Sequence, residues 1–143
     1  GYMRQVLVGV GVMAAAAVVG MGLRSVAAQD AANKSAFYTE KVKAILEENC
    51  YKCHGGMNHR GGLNFQTKAG MIKGGRDGAV VVPGDPAASL LVKLMRHEGP
   101  PNDPRPMPPR GPKLSDADIS IVTQWVKAGA VMPDDPPMSQ SAN

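Results

Sequence analysis

Cys50-Tyr51-Lys52-Cys53-His54 reads C-x-x-C-H, the spacing that attaches a c-type haem. Two thiols three positions apart can add to the two vinyl groups on one edge of a porphyrin. The histidine directly after the second cysteine then lies against the iron as its proximal ligand. The chain has two cysteines in all, so one haem consumes both thiols. Three other readings compete with this one. A thioredoxin-type dithiol wants a βαβ context, and the surrounding pattern offers none. A zinc site needs four ligands, and His59 and His97, the histidines left to complete one, are not at a finger-like spacing. A small structural disulfide is the third. The haem reading is the favoured one.

Composition agrees with a cofactor-filled domain. The chain has 143 residues and 4% aromatic content, a thin aromatic core for this length, together with 17 Gly and 12 Pro. A buried porphyrin supplies apolar volume that such a chain lacks. The net charge is +4, and residues 1–28 carry Arg4 and Arg24 and no acid, so the remainder is less basic still. Two haem propionates bring it near neutrality. Lys and Arg are not clustered among aromatics, which argues against a nucleic-acid partner. Lys41, Lys43, Lys52 and Arg60 form either an ordinary solvated face or a basic surface for an acidic redox protein.

Residues 6–23 are uncharged, with Arg4 before them and Arg24 after. Val26-Ala27-Ala28 has the small residues of a signal-peptidase site, so residues 1–28 read as a cleaved signal peptide or a retained transmembrane anchor. A lipoprotein anchor is excluded, because no cysteine lies near Ala28. Either reading places the rest on the periplasmic side of a bacterial inner membrane, where haem is attached to such motifs: soluble if the leader is cleaved, membrane-associated if it is kept.

Residues 29–35 read as a polar linker, residues 36–133 as the monohaem domain and residues 134–143 as a disordered tail. A helix is expected over residues 36–49, where Phe37, Val42, Ile45 and Leu46 recur at near-helical spacing. A short helix is expected near residues 67–73, and a brief extended run at Val80-Val81-Val82, stopped by Pro83-Gly84. Asp85-Pro86 predicts a helix start and a helix to about residue 97. Prolines crowd residues 100–112 into a stiff loop. Ser115-Asp116-Ala117-Asp118 opens a last helix with Ile119, Val122, Trp125 and Val126 on one face and Gly129 at its end.

A haem iron takes a sixth ligand or stays open. Met107 is the chosen candidate: Pro106 and Pro108-Pro109 fix the backbone on both sides of a weak, neutral thioether, at low entropic cost. Met71 is the runner-up, and Met95 reads as core packing. His97 reads as a cation at a helix end, and His59 as too close in sequence to His54 to reach the other haem face.

Residues 37–133 resemble a class I c-type cytochrome domain of the planctomycete-type cytochrome c group. The resemblance rests on Cys50-Tyr51-Lys52-Cys53-His54-Gly55, Gly61-Gly62-Leu63, Gly74-Gly75, Val82-Pro83-Gly84-Asp85-Pro86, Ser89-Leu90-Leu91, Met107-Pro108-Pro109, Leu114-Ser115 and Trp125-Val126 followed by Gly129-Ala130. It implies an all-α fold around one covalent haem c, with the first and last helices crossing near it. It also implies Met107 as the distal ligand. The insert at residues 100–106 departs from the family pattern and either shifts the loop or serves as a partner contact. The expected function is one-electron transfer by a single c-type haem with His54 and Met107 as axial ligands. The chain is then an exported electron carrier, not an enzyme itself, or an electron-transfer subunit of an oxidoreductase or photosynthetic complex. Its partners are redox proteins, including those of membrane respiratory or photosynthetic complexes. The rival is a peroxidase-like enzyme or gas sensor with an open or weakly ligated iron.

Overall fold

The structure is a computed structural model that describes residues 26–100 and 104–137. It divides into two compact units, Gly1–Asn33 and Lys34–Asn143. The expected leader lies almost wholly outside the described residues. Among those described, no helix is long and apolar enough to cross a membrane. Residues 29–35, expected as a linker, are helical throughout. They contain good helix formers, notably Ala31 and Ala32, and no Gly or Pro. Gln29 Nε2 also donates to Asn33 Oδ1 at 3.0 Å, one turn on.

The helix expected over residues 36–49 is present but not uniform. A π-helical segment, Tyr38–Val42, runs into α1, Lys43–Asn49. Val42, Ile45 and Leu46 are buried as their spacing predicts, but Tyr38 is buried in place of Phe37, which stays half-exposed. Tyr38 stacks at a tilt on Trp125, with ring centroids 5.6 Å apart, and its hydroxyl lies 3.4 Å from that of Tyr51. Burial, with that contact second, pushes the Tyr38 phenol far above its ordinary range, so it stays neutral.

After α1 come a single turn, α2 (Tyr51–His54), and a two-residue strand, Asn58–His59, that bridges back to His54 and Gly55. A 3-10 turn, Arg60–Gly62, follows. Then α3 spans Lys68–Lys73, with the Thr67 hydroxyl accepting from the Gly70 N–H. Asp134 and Asp135 belong to the stretch expected to be a disordered tail, yet both are tied down. The Asp135 carboxylate accepts from the N–H groups of Lys68 and Ala69, at 2.6 and 2.9 Å, and Lys68 Nζ donates to Asp134 at 2.7 Å. The first amides of a helix have no partner within it, and a carboxylate there satisfies them.

The helix expected over residues 86–97 is shorter: α4 is Leu90–Met95. Asp85 caps a turn, accepting from Ala88 N–H at 3.0 Å, and the helix starts only after Ser89. Ser89 is wholly buried. Its Oγ accepts from Val82 N–H at 2.9 Å and donates to the Asp85 carbonyl at 2.8 Å, which holds that turn against the Val80–Val82 segment. That segment joins no ladder; Val80 accepts instead from Leu91 N–H at 2.9 Å. Ser89→Ala takes the partner from the partly buried Val82 N–H, so we expect a loss of about 1 kcal/mol. Urea denaturation measures it, and an unchanged midpoint would show that water replaces the hydroxyl at no cost.

The last helix, α5 (Asp116–Lys127), follows the sequence closely. Ser115 Oγ accepts from Asp118 N–H at 3.1 Å, and Ile119, Val122, Trp125 and Val126 are buried. Gly129, at φ +109°, ends it. Trp125 Nε1 donates to the Val131 carbonyl at 3.0 Å, so the ring is fixed at both ends. The π-helical segment thus packs on the last helix through Tyr38 and Trp125.

Candidate functional site

The C-x-x-C-H stretch is one helical turn. Cys53 and His54 N–H both donate to the Cys50 carbonyl, at 3.1 and 2.9 Å. Positions i, i+3 and i+4 share a helix face, so the two thiols and the imidazole leave the turn together. Both thiols are free. Burial, and secondarily the neighbouring Cys53, pushes the Cys50 thiol up to about 11. A reactive dithiol of the thioredoxin type needs the opposite shift, toward thiolate at neutral pH.

His54 is oriented by the backbone. Its Nδ1 lies 2.8 Å from the Arg60 carbonyl oxygen. A carbonyl only accepts, so Nδ1 carries the proton and the Nε2 lone pair is left free. This is the arrangement of a metal-binding histidine whose second nitrogen is held by an outer partner. Phe65 packs on the ring at 5.4 Å between centroids, and its N–H donates to the His54 carbonyl at 2.7 Å. Burial lowers the His54 pKa from its usual value, the larger influence ahead of the Arg60 carbonyl, and favours the neutral, ligating form.

Cys50, Cys53 and His54 line a cavity of about 270 Å³, and Met107 lines it too. Most of its remaining wall is apolar, from residues such as Val80, Leu91 and Leu94. Met107 N–H donates to the Leu94 carbonyl at 3.1 Å, so the proline-flanked residue is also pinned to the end of α4. The four residues expected to form the site are thus brought to one cavity. Met95, expected as core packing, is buried and also lines it. Met71 is buried in the core but is not part of the wall, and neither are His59 and His97, which are exposed. Trp125 is buried against Tyr38 and likewise lies outside the wall. Among the described residues no group of three or more His, Cys, Asp or Glu could hold a metal ion, so the zinc reading lacks its ligands.

Residues 50–111 match the family model of Planctomycete cytochrome C. No curated protein and no solved structure gives a significant match. The matched segment is a cytochrome c-type domain, which points to haem-based electron transfer and implies haem c. It contains Cys50, Cys53, His54 and Met107 and stops short of α5. The donor set fits the cofactor: two uncrosslinked thiols, an imidazole with a free Nε2, a thioether and an apolar-walled space between α2 and α4. Among the described residues Arg60, Arg76 and Arg105 also reach the cavity, together with Asp77, which pairs with Arg76 at 3.4 Å. That excess of positive charge suits the two propionates of a haem. Spacing alone does not single out these arginines, nor the Arg60 carbonyl, because only the folded chain shows which loop closes over which.

Proposed function

We propose that this protein carries single electrons through one haem c, bound covalently by Cys50 and Cys53 with His54 and Met107 as axial ligands. The observation that carries the reading is the His54 imidazole, committed through Nδ1 to a carbonyl and free at Nε2, in the same cavity as both thiols and Met107. A bound haem supplies the Fe(II)/Fe(III) couple. Cys50 and Cys53 hold it along one edge. Val80, Leu91 and Leu94 would shield it from water, and the neutral donors His54 and Met107 would hold its iron and leave no position for a substrate. A thioether donor favours the ferrous state and raises the potential.

The purified protein is expected to titrate as a reversible one-electron couple and to bind carbon monoxide poorly when reduced. Rapid carbon monoxide binding together with peroxide turnover would sink the carrier reading in favour of an open-iron enzyme or sensor.

The domain acts, in this reading, on the periplasmic side of the inner membrane, with redox proteins as donor and acceptor. Lys41, Lys52 and Arg60 are exposed and suit an acidic partner, while Lys43 pairs with Glu47 at 3.7 Å. Intact-mass measurement of the native protein decides its attachment. A mass beginning at Gln29 means a free carrier. A mass that includes Arg4, with the protein sedimenting with membranes in high salt, means a tethered subunit.

A further inference from the structure

The Arg60 carbonyl that orients His54 is itself held from behind. It lies in the Arg60–Gly62 turn, where it also accepts from Leu63 N–H at 3.3 Å. On the far side of that turn sits the tight reversal Gly75-Arg76-Asp77-Gly78. Gly75 and Gly78 exchange two backbone hydrogen bonds, both 3.0 Å. Arg76 N–H then donates to the Gly61 carbonyl at 2.7 Å. The two backbones approach so closely that a Cβ on Gly75 would overlap the Gly61 carbonyl oxygen and stand 2.7 Å from Leu63 Cδ2. Gly62 faces the same reversal, with its Cβ position 3.6 Å from Arg76 N. The paired residues Asn58–His59 fix the other end of the loop to His54 and Gly55. The Arg60 carbonyl is therefore gripped between a strand bridge and a glycine contact.

We propose that the Gly75–Gly78 reversal is a positioning element for the proximal ligand: by seating against Gly61 it holds the Arg60 carbonyl on His54 Nδ1 and so sets the donor strength of the imidazole. This rests on His54 being an axial ligand. A hydrogen bond from Nδ1–H to a carbonyl makes Nε2 more basic, which favours ferric iron. Weakening that bond raises the reduction potential. Loss of an outer partner of a ligating histidine typically changes metal affinity by about 10–100-fold. A tenfold change in the ferric-to-ferrous balance corresponds to about 59 mV for one electron.

The test uses the full chain with its haem. In Gly75→Ala the new methyl must push the Arg60–Gly62 turn away, because the atom it meets is backbone. The midpoint potential is expected to rise by about 59 mV or more, with the sulfur-to-iron charge-transfer absorption retained. Gly129→Ala is the companion: at φ +109°, it strains the end of α5 and touches nothing in the cavity. It should lower thermal stability and leave the potential where it was. A second measurement on the unmutated protein covers the case in which Gly75→Ala fails to accumulate. The Arg76 amide proton and the His54 ring proton should show a common opening free energy once each exchange rate is divided by that group's intrinsic rate, since one opening exposes both. The proposal is overturned by an unchanged potential in Gly75→Ala, by equal shifts in both variants, or by an Arg76 amide far less protected, relative to its intrinsic rate, than the His54 proton. Any of these leaves the electron carrier intact. A chain with no covalent haem overturns both.

Discussion

The double variant Cys50→Ala/Cys53→Ala is expected to release all of its haem on acid–acetone extraction, whereas the unmutated protein keeps it through extraction and through denaturing electrophoresis. Each single variant should keep a weaker, one-thiol attachment. Both thiols are free and both line the cavity with His54, so nothing else in the chain can make those bonds. The effect on stability should be as large. Without the group, apolar wall residues such as Val80, Leu91 and Leu94 would meet water, and only about 5–15 kcal/mol holds a typical domain together. Helical circular dichroism of the double variant, produced without haem, should therefore melt early or be absent. Haem extractable from the unmutated chain would refute the covalent reading. A fully folded, haem-free double variant would show that the core stands without the group.

Met107→Ala should abolish the sulfur-to-iron absorption of the ferric protein, lower the potential and open the iron to cyanide and carbon monoxide. The thioether is a weak neutral donor that prefers ferrous iron, so each tenfold loss of that preference lowers the potential by about 59 mV. Two features of the chain hold Met107 for this: flanking prolines at Pro106 and Pro108, and the hydrogen bond from its N–H to the Leu94 carbonyl. Met95 lines the same cavity, and Met71 lies in the core away from it. The comparison is therefore among three variants. Met95→Ala and Met71→Ala should keep the absorption and lose stability. If either removed it while Met107→Ala did not, Met107 would not be the distal ligand.

The parts of this protein that were legible in the sequence are those whose partners lie close along the chain. The thiols and imidazole of Cys50, Cys53 and His54 are placed by a single helical turn. Ser115 caps α5 three residues on, and the stripe Ile119, Val122, Trp125 and Val126 follows from helical periodicity. Local rules misjudged elements whose competing bonds come from nearby turns. Asp85-Pro86 has the chemistry of a helix start, but Asp85 caps a turn and Ser89 Oγ locks it to Val82, so α4 begins only at Leu90. Tyr38 entered the core through a π-helical segment that no 3.6-residue pattern predicts.

Legible without the fold is the local chemistry of C-x-x-C-H: two thiols and an imidazole of the kind that would bond a porphyrin edge and its iron. A motif confined to one turn fixes those atoms relative to one another whatever the rest of the chain does. Whatever needs two distant segments to meet was settled by packing. It brought Met107 to the cavity of His54, pressed Gly75 against Gly61, and returned Asp135 to the first amides of α3. Each of these is a contact across a loop closed by burial elsewhere. Its geometry is set by how the whole chain packs and leaves no periodic or short-range mark among the residues that make it.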